Sequence, residues 1–426
     1  MKKAYFCTAE ELEQRGKDNL PKQFQSGEHL IYSSPATLAF NSPGAEGFGV
    51  KRAGLAVPGS IMLIVAPGCC GRNTSMISSM KEYNNRFFYL CMDETDIVTG
   101  RHLKKIPKAV ASICESFEKK PSVVMICITC VDALLGTDME RVCKKAEEQV
   151  EIPVRPCYMY ALTREGRKPP MVHVRQSLYS LLEPGKKKGN VVNLLGFFSP
   201  LVDDCEIYDL LHSAGVKTIH EISRCKDYME YQTMSEANFN LVLHHEARFA
   251  AEDFHNRLQI PFIELRRLYQ IDKIENQYHA LGNALGVAFY DEKYKKQAED
   301  ALEKFRQRCP DASFAIGECL NADPFELSLA LIRYGFSVPE IYGTITVENF
   351  TYIRSLAKIS PETKVFSNME PTMIYYDPAK SDVNLAIGKD ACYYHPDCPY
   401  VMWNGEEQPY GYAGVRRLFE QLLEVV

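Results

Sequence analysis

The sequence predicts an α/β protein of doubly wound parallel sheets, laid out in three successive units. Three observations lead there. Short apolar runs such as Ile61-Met62-Leu63-Ile64-Val65-Ala66 and Val123-Val124-Met125-Ile126-Cys127-Ile128 show no polar alternation, which is how a strand buried on both faces reads. Segments of helical length and period separate these runs, in the βαβα order of a parallel sheet. Turn residues follow the strands directly, as in Pro67-Gly68-Cys69-Cys70-Gly71.

Taken in order, the first unit spans residues 1–188. Its strand at Ile61–Ala66 leads through a helix expected from Thr74 to Tyr83 to a strand at Arg86–Cys91. A helix from Leu103 to Lys119 precedes the strand at Val123, and the charged amphipathic stretch from Asp138 to Glu151 precedes Ile152-Pro153-Val154. Pro184-Gly185-Lys186-Lys187-Lys188-Gly189-Asn190 has linker chemistry. The second unit, 189–290, opens with Val191–Phe198. Its helix runs from about Cys205 to Ala214, ends at Gly215, and leads to strands at Val216–Ile219, Asn240–Leu243 and Pro261–Leu265. The third, 291–426, starts with a polar helix from Asp291 to Cys309. It continues through Ser313–Gly317, Pro324–Tyr334, Val338–Ile341 and Val383–Gly388 to a terminal helix at Arg416–Val425.

At 426 residues, 46% hydrophobic and 24% charged, the chain can bury a large core. A net charge of −6 argues against a nucleic-acid surface. No apolar run approaches the ~20 residues of a membrane span, and Met1-Lys2-Lys3-Ala4-Tyr5-Phe6-Cys7 lacks the apolar core of an export signal. A cytoplasmic protein without membrane or nucleic-acid partners is therefore expected. Neither Gly-x4-Gly-Lys-Ser/Thr nor Gly-x-Gly-x-x-Gly occurs, so ATP hydrolysis and nicotinamide binding are not expected of this chain itself.

Fifteen cysteines, an odd number, favour metal ligation and buried thiols over a disulfide framework. Cys69, Cys70, Cys91, Cys127 and Cys130 fall within 62 residues. Two of the loops involved leave the ends of buried strands, where ligands of parallel sheets bind. Thiols concentrated there point to an iron–sulfur cluster. Cys127 and Cys130 occupy opposite faces if their strand continues, so both reach one cluster only if the chain turns at Thr129. Adjacent Cys69 and Cys70 do not both suit one cluster. A Cys392/His395/Cys398 patch has only a loose zinc-like spacing, and the Tyr and Pro residues around it suggest a packed loop instead.

At these residues the chain resembles component 1 subunits of the nitrogenase superfamily, which include catalytic subunits, cofactor-assembly scaffolds and nitrogenase-like reductases. Pro67-Gly68-Cys69-Cys70-Gly71 resembles the loop of the second cluster ligand, with Cys70 in the cysteine place. Asp93 to Gly100 resembles the family's Glu-x-Asp-Ile-Val-x-Gly stretch, and Cys130 with Leu135-Gly136-Thr137-Asp138 the third-ligand loop. Asn193-Leu194-Leu195-Gly196, Asn240-Leu241-Val242 and Gly411-Tyr412-Ala413-Gly414 match two cavity strands and a C-terminal motif. The resemblance implies three Rossmann-like domains around a central cavity. It also implies a four-iron or larger cluster held by Cys70, Cys91 and Cys130, with Cys69 and Cys127 as further candidates. A sister subunit completing a homodimer, heterodimer or tetramer and an ATP-dependent iron protein as electron donor are expected partners.

The departures narrow the function. Asn41 and Ser42 stand where the family's first cluster cysteine lies, so Cys91 or Cys127 is the expected source of the missing sulfur. His244 and Val401 replace the two protein ligands of the molybdenum–iron cofactor. A nitrogenase-like reductase subunit that does not fix dinitrogen is expected, with His244 as proton source. The alternatives are a cluster-assembly scaffold and a structural partner of a catalytic sister chain.

Overall fold

A computed structural model describes residues 3–25, 49–68, 77–129, 131–132, 135–159 and 168–426. The chain divides into two compact units. One comprises Pro43–Pro200 and Val216–Arg266; the other comprises Met1–Ser42, Leu201–Gly215 and Arg267–Val426. The opening strand, β1 (Phe6–Thr8), belongs to the latter.

The first unit carries two four-stranded sheets. Strands β2 (Ile61–Ala66), β3 (Phe87–Cys91), β4 (Val124–Ile128) and β5 (Val154–Tyr158) are parallel, in the order β3-β2-β4-β5. Both faces of this sheet are buried, and the pleat divides its residues. Ile61, Leu63, Val65, Val124 and Ile126 pack in one core with Ile106 and Val110 of the helix His102–Glu115 and Val142 and Ala146 of the helix Met139–Val150. Met62, Ile64, Ala66, Met125, Cys127 and Cys157 belong to the opposite core, with Val174 and Leu178 of the helix Pro170–Tyr179. Parallel strands covered on both faces need this continuous apolarity.

The strand expected at Ile152 begins at Val154, because Glu151 ends the preceding helix in the left-handed region, at φ 58°. Of the helix expected from Thr74 to Tyr83, residues 74–76 lie outside the described residues, and Lys81–Tyr83 is a single 3₁₀ turn.

Strands β6 (Val191–Leu195), β7 (Thr218–His220), β8 (Phe239–Val242) and β9 (Phe262–Glu264) form the second parallel sheet, ordered β7-β6-β8-β9. Inside it the Asn193 amide donates to Asn240 Oδ1 at 2.8 Å and to the Met234 carbonyl at 2.9 Å. Both asparagines are fully buried, and a buried amide needs such partners.

The second unit holds a six-stranded sheet. Strands β10 (Ser313–Ile316), β11 (Ser337–Tyr342), β12 (Lys364–Phe366), β13 (Leu385–Ile387) and β14 (Tyr400–Val401) run parallel in the order β12-β11-β10-β13-β14. The strand β1 adds antiparallel to β12, with Phe6 opposite Phe366. Nothing in the local pattern of residues 6–8 announces that long-range pairing.

The terminal helix runs from Gly411 to Val425 and so starts before the expected Arg416. The buried Glu206 carboxylate is the reason. It accepts from the Tyr412 and Ala413 backbone N–H groups at 2.6 and 3.0 Å and from the Tyr278 hydroxyl at 2.6 Å. An anion at that point satisfies the first-turn donors and complements the helix dipole. Gly411 has φ 58°, and a Cβ there would stand 1.9 Å from Glu206 Oε1, so the capping carboxylate excludes any other residue.

Glu326 illustrates a carboxylate that burial penalises. It is fully buried and accepts from the backbone N–H groups of Tyr269 and Gln270. Desolvation outweighs those bonds and pushes its pKa up to about 7. The folded state therefore holds a proton that the unfolded chain releases near pH 4.3, so this group makes stability fall as pH rises between those values. The loss is on the order of 3 kcal/mol by pH 8. Denaturant titration of E326Q at pH 5 and pH 8 should show a smaller difference between the two than the parent chain does; an unchanged difference would contradict the assignment.

Candidate functional site

In an open parallel sheet a crevice forms where adjacent strands send their connections in opposite directions, at the carboxyl ends. The order β3-β2-β4-β5 places this point between β2 and β4. The loop carrying Cys69 and Cys70 leaves after Ala66, and that carrying Cys130 leaves after Ile128. Cys69, Cys70 and Cys130 themselves lie outside the described residues. The structure places the strand ends from which they depart: Val65 pairs with Ile128, and Ala66 pairs with Cys91.

Cys91 and Cys127 have different surroundings. Cys91 is the last residue of β3 and its side chain is exposed. Cys127 has no exposed surface and sits opposite Cys157 in register. A hydrogen bond from Cys157, opposed by desolvation and helped by Lys51, holds the Cys127 thiol below its usual range; the same bond and burial push Cys157 up. Cys127 is thus an enclosed core thiol, whereas Cys91 opens at the sheet end.

A polar scaffold braces the connections beside this point. Asp93 caps the helix Glu94–Thr99 by accepting from Asp96 N–H at 2.7 Å, and the Asp96 side chain answers in a capping box. Asp96 is buried and also accepts from Arg101 Nε at 2.7 Å and Lys105 Nζ at 2.6 Å, which hold its carboxyl well below the usual range. His102 then links two segments: Nδ1 lies 3.0 Å from the Asp96 carbonyl and Nε2 lies 2.8 Å from Asp132 Oδ1. Thr137 donates to the same oxygen at 3.0 Å.

The second sheet, ordered β7-β6-β8-β9, has its reversal between β6 and β8. There Gly196 follows β6 and His244 follows β8 by two residues. The two loops touch: Gly196 has φ 144°, and a Cβ on it would lie 2.8 Å from His244 N. His244 Nδ1 accepts from the Glu246 backbone N–H at 3.3 Å, capping the turn His245–Ala247. Its ring stacks on His245 at 4.5 Å and meets Phe197 edge-on at 5.7 Å. Beneath, the buried Arg175 guanidinium donates to the Gly196 carbonyl at 3.1 and 2.6 Å, to the Met171 carbonyl at 2.9 Å and to Glu246 Oε2 at 2.8 Å. It also lies over the Phe198 ring at 4.6 Å. His173 packs against Tyr158 at 4.3 Å, and burial lowers its pKa, so it stays neutral at pH 7.

A family model described as "Nitrogenase component 1 type Oxidoreductase" matches residues 46–426. The chain belongs to that family. Similar relatives carry the name nitrogenase iron-molybdenum cofactor biosynthesis protein NifE. That of Sinorhizobium fredii (strain NBRC 101917 / NGR234) is 26% identical over 388 residues, covering 84% of this chain and 76% of the relative. That of Mesorhizobium japonicum (strain LMG 29417 / CECT 9101 / MAFF 303099) is 24% identical over 418 residues, covering 92% and 82%. A solved structure titled "Nitrogenase Cp1 at pH 6.5" superposes with a TM-score of 0.71 at 19% identity, covering 88% of this chain and 90% of that one. This last likeness establishes the component 1 fold, with its parallel, Rossmann-like sheets. Among the described residues, no helix is long and apolar enough to cross a membrane.

Cys392, His395 and Cys398 do not assemble a metal patch, and among the described residues no group of three or more His, Cys, Asp or Glu is placed to hold a metal. His395 is instead buried against Glu340, Tyr342 and Tyr376, with Nε2 3.3 Å from Glu340 Oε2 and 2.9 Å from the Tyr376 hydroxyl. The His395 Nε2 is thus engaged inside the core by Glu340, Tyr342 and Tyr376. Val401 is a buried strand residue of β14.

Sequence reading missed His102, Glu246 and the role of Gly196, because each acts through partners distant in sequence. The pair His102–Asp132 carries a test. Both side chains are buried, so D132A strands the imidazole without its acceptor and should cost about 1–3 kcal/mol in chemical denaturation. A variant as stable as the parent would show that the bracing is dispensable.

Proposed function

We propose that this chain is a component 1-type subunit that carries a metal–sulfur cluster as an assembly scaffold, not as a dinitrogen reductase. The adjacency of the β2 and β4 ends, after which both cysteine-bearing segments follow in the sequence, with Cys91 exposed at the end of β3, supports this reading most. The NifE relatives, named for cofactor biosynthesis, support the scaffold over the reductase. His244 and Val401 in place of cofactor ligands argue against nitrogen fixation.

Cys70, Cys91 and Cys130 would hold the cluster, with Cys69 beside them; thiolates are the donors such clusters take. Cys127 then serves packing. The buried polar bracing through Asp96, His102 and Asp132 holds the adjoining connections in place. When bound, the cluster would supply one-electron chemistry. Three thiolates fall short of the four that a [4Fe–4S] cluster wants, so a sister subunit or second copy would complete the site in a cytoplasmic complex. A P-loop iron-protein ATPase would be the electron donor.

A second reading, the reductase subunit with His244 as proton source, draws on the imidazole at the second sheet reversal. The two differ in ATP-dependent turnover with the iron-protein partner, which only the reductase would show.

The test is anaerobic purification with iron and sulfide counted and an EPR spectrum recorded after dithionite reduction. We expect about four irons per pair of chains, lost in Cys70→Ala and Cys130→Ala and retained in Cys127→Ala. A folded, anaerobically handled chain without iron would overturn the cluster assignment.

A further inference from the structure

Two thiols outside the proposed cluster set face each other across neighbouring strands. Cys127 of β4 and Cys157 of β5 are in register, and both side chains enter the same core. Adjacent strands lie about 4.7–4.9 Å apart, inside the roughly 4.4–6.8 Å between Cα atoms that a disulfide spans. Among the described residues β5 is an edge strand, so it can move toward β4 without breaking a ladder on its far side. Neither residue has exposed surface. Cys157 Sγ lies 3.6 Å from the Val50 carbonyl, and a Cβ on Gly54 would stand 3.0 Å from that sulfur, so the glycine leaves it room. Buried Lys51 adds positive charge near Cys127, which favours a thiolate. The opposite core offers a contrast. Burial pushes the Cys114 and Cys143 thiols up there, whereas Cys127 is held below its usual range, first by its bond to Cys157.

We propose that Cys127 and Cys157 are a redox-active dithiol, a modification site that a peroxide converts into a disulfide between β4 and β5. The Cys127 sulfur attacks one peroxide oxygen, and the O–O bond breaks. This leaves a sulfenic acid on Cys127, and the thiol proton departs with the other oxygen as water. The Cys157 sulfur then attacks the Cys127 sulfur. The S–O bond breaks, and the Cys157 proton leaves with that oxygen as a second water. The two thiols lose two electrons and two protons, and one peroxide becomes two waters. Enclosed in the core, the pair meets no substrate; it reacts with an oxidant small enough to enter when the sheet opens locally. Neither thiol holds the proposed cluster, so this pairing and the cluster assignment stand or fall separately.

The experiment uses the full chain purified with a chelator, reduced, freed of reductant and treated with hydrogen peroxide. The chain is then unfolded in guanidinium with N-ethylmaleimide, digested with trypsin and read by tandem mass spectrometry. The expected result is a linked pair of peptides, lighter than their sum by the two hydrogens lost. Its fragments should place the bridge at Cys127 rather than at Cys130 of the same peptide. Both thiols should be lost to the maleimide together and recovered with dithiothreitol, while Cys114 and Cys143 stay free. A folded Cys157→Ala chain should form no bridge and should carry Cys127 on to the sulfinic acid, which dithiothreitol does not reverse. An unmodified Cys127 in that variant would remove its role as the sulfur first attacked. If the variant does not fold, the parent chain decides. Both thiols still free after peroxide treatment of the folded parent would overturn the proposal, as would a bridge that forms only when peroxide meets the unfolded chain.

Discussion

A parallel strand buried on both faces has no side chain to spare for chemistry. Its backbone groups are committed to neighbouring strands, and its side chains fill two cores. In β2 the residues divide strictly between the layers, Ile61, Leu63 and Val65 on one side and Met62, Ile64 and Ala66 on the other. Cys127 in β4 obeys the same rule, which is why a residue inside a cysteine-rich stretch is a core thiol beside Cys157. Reactive and polar groups are driven to the carboxyl ends, and reversal of strand order opens space there for them.

The three reversals among the described residues are treated differently. That of the first sheet sends out the cysteine loops, and that of the second brings Gly196 against His244. The third, between β10 and β13, is stitched closed. Asp390 there accepts from the Glu318 and Cys319 backbone N–H groups at 2.9 and 3.0 Å, and a Cβ on Gly317 would lie 1.9 Å from its Oδ1. Burial pushes both Asp390 and Glu318 up, which a carboxylate tolerates because backbone and Asn368 donors surround it. The same crevice geometry thus yields two candidate sites and one structural seam.

Three buried charges each gather several partners. Glu206 caps the terminal helix, Asp96 gathers two cations and a helix cap, and Arg175 spans two carbonyls and a carboxylate. An unpaired ion in such surroundings costs several kcal/mol, so each also restricts the loops that supply its partners.

Much of the architecture was legible in the residues. Apolar runs without alternation read as parallel strands, and the helices at Met139–Val150, Glu206–Ser213 and Glu292–Arg308 follow the periodic stretches closely. Family membership was readable from the order of short motifs, Cys70 and Cys130 among them. These are local properties: burial on two faces dictates composition, and the helical period dictates spacing. Other features depended on the tertiary structure. It alone paired Phe6 with Phe366, separated the exposed Cys91 from the enclosed Cys127, drew His395 into a hydrogen-bonded core with Glu340, and brought Arg175 to Glu246. Each joins residues far apart in the chain or turns on which face a side chain takes, and no local pattern of residues encodes a partner 71 positions away.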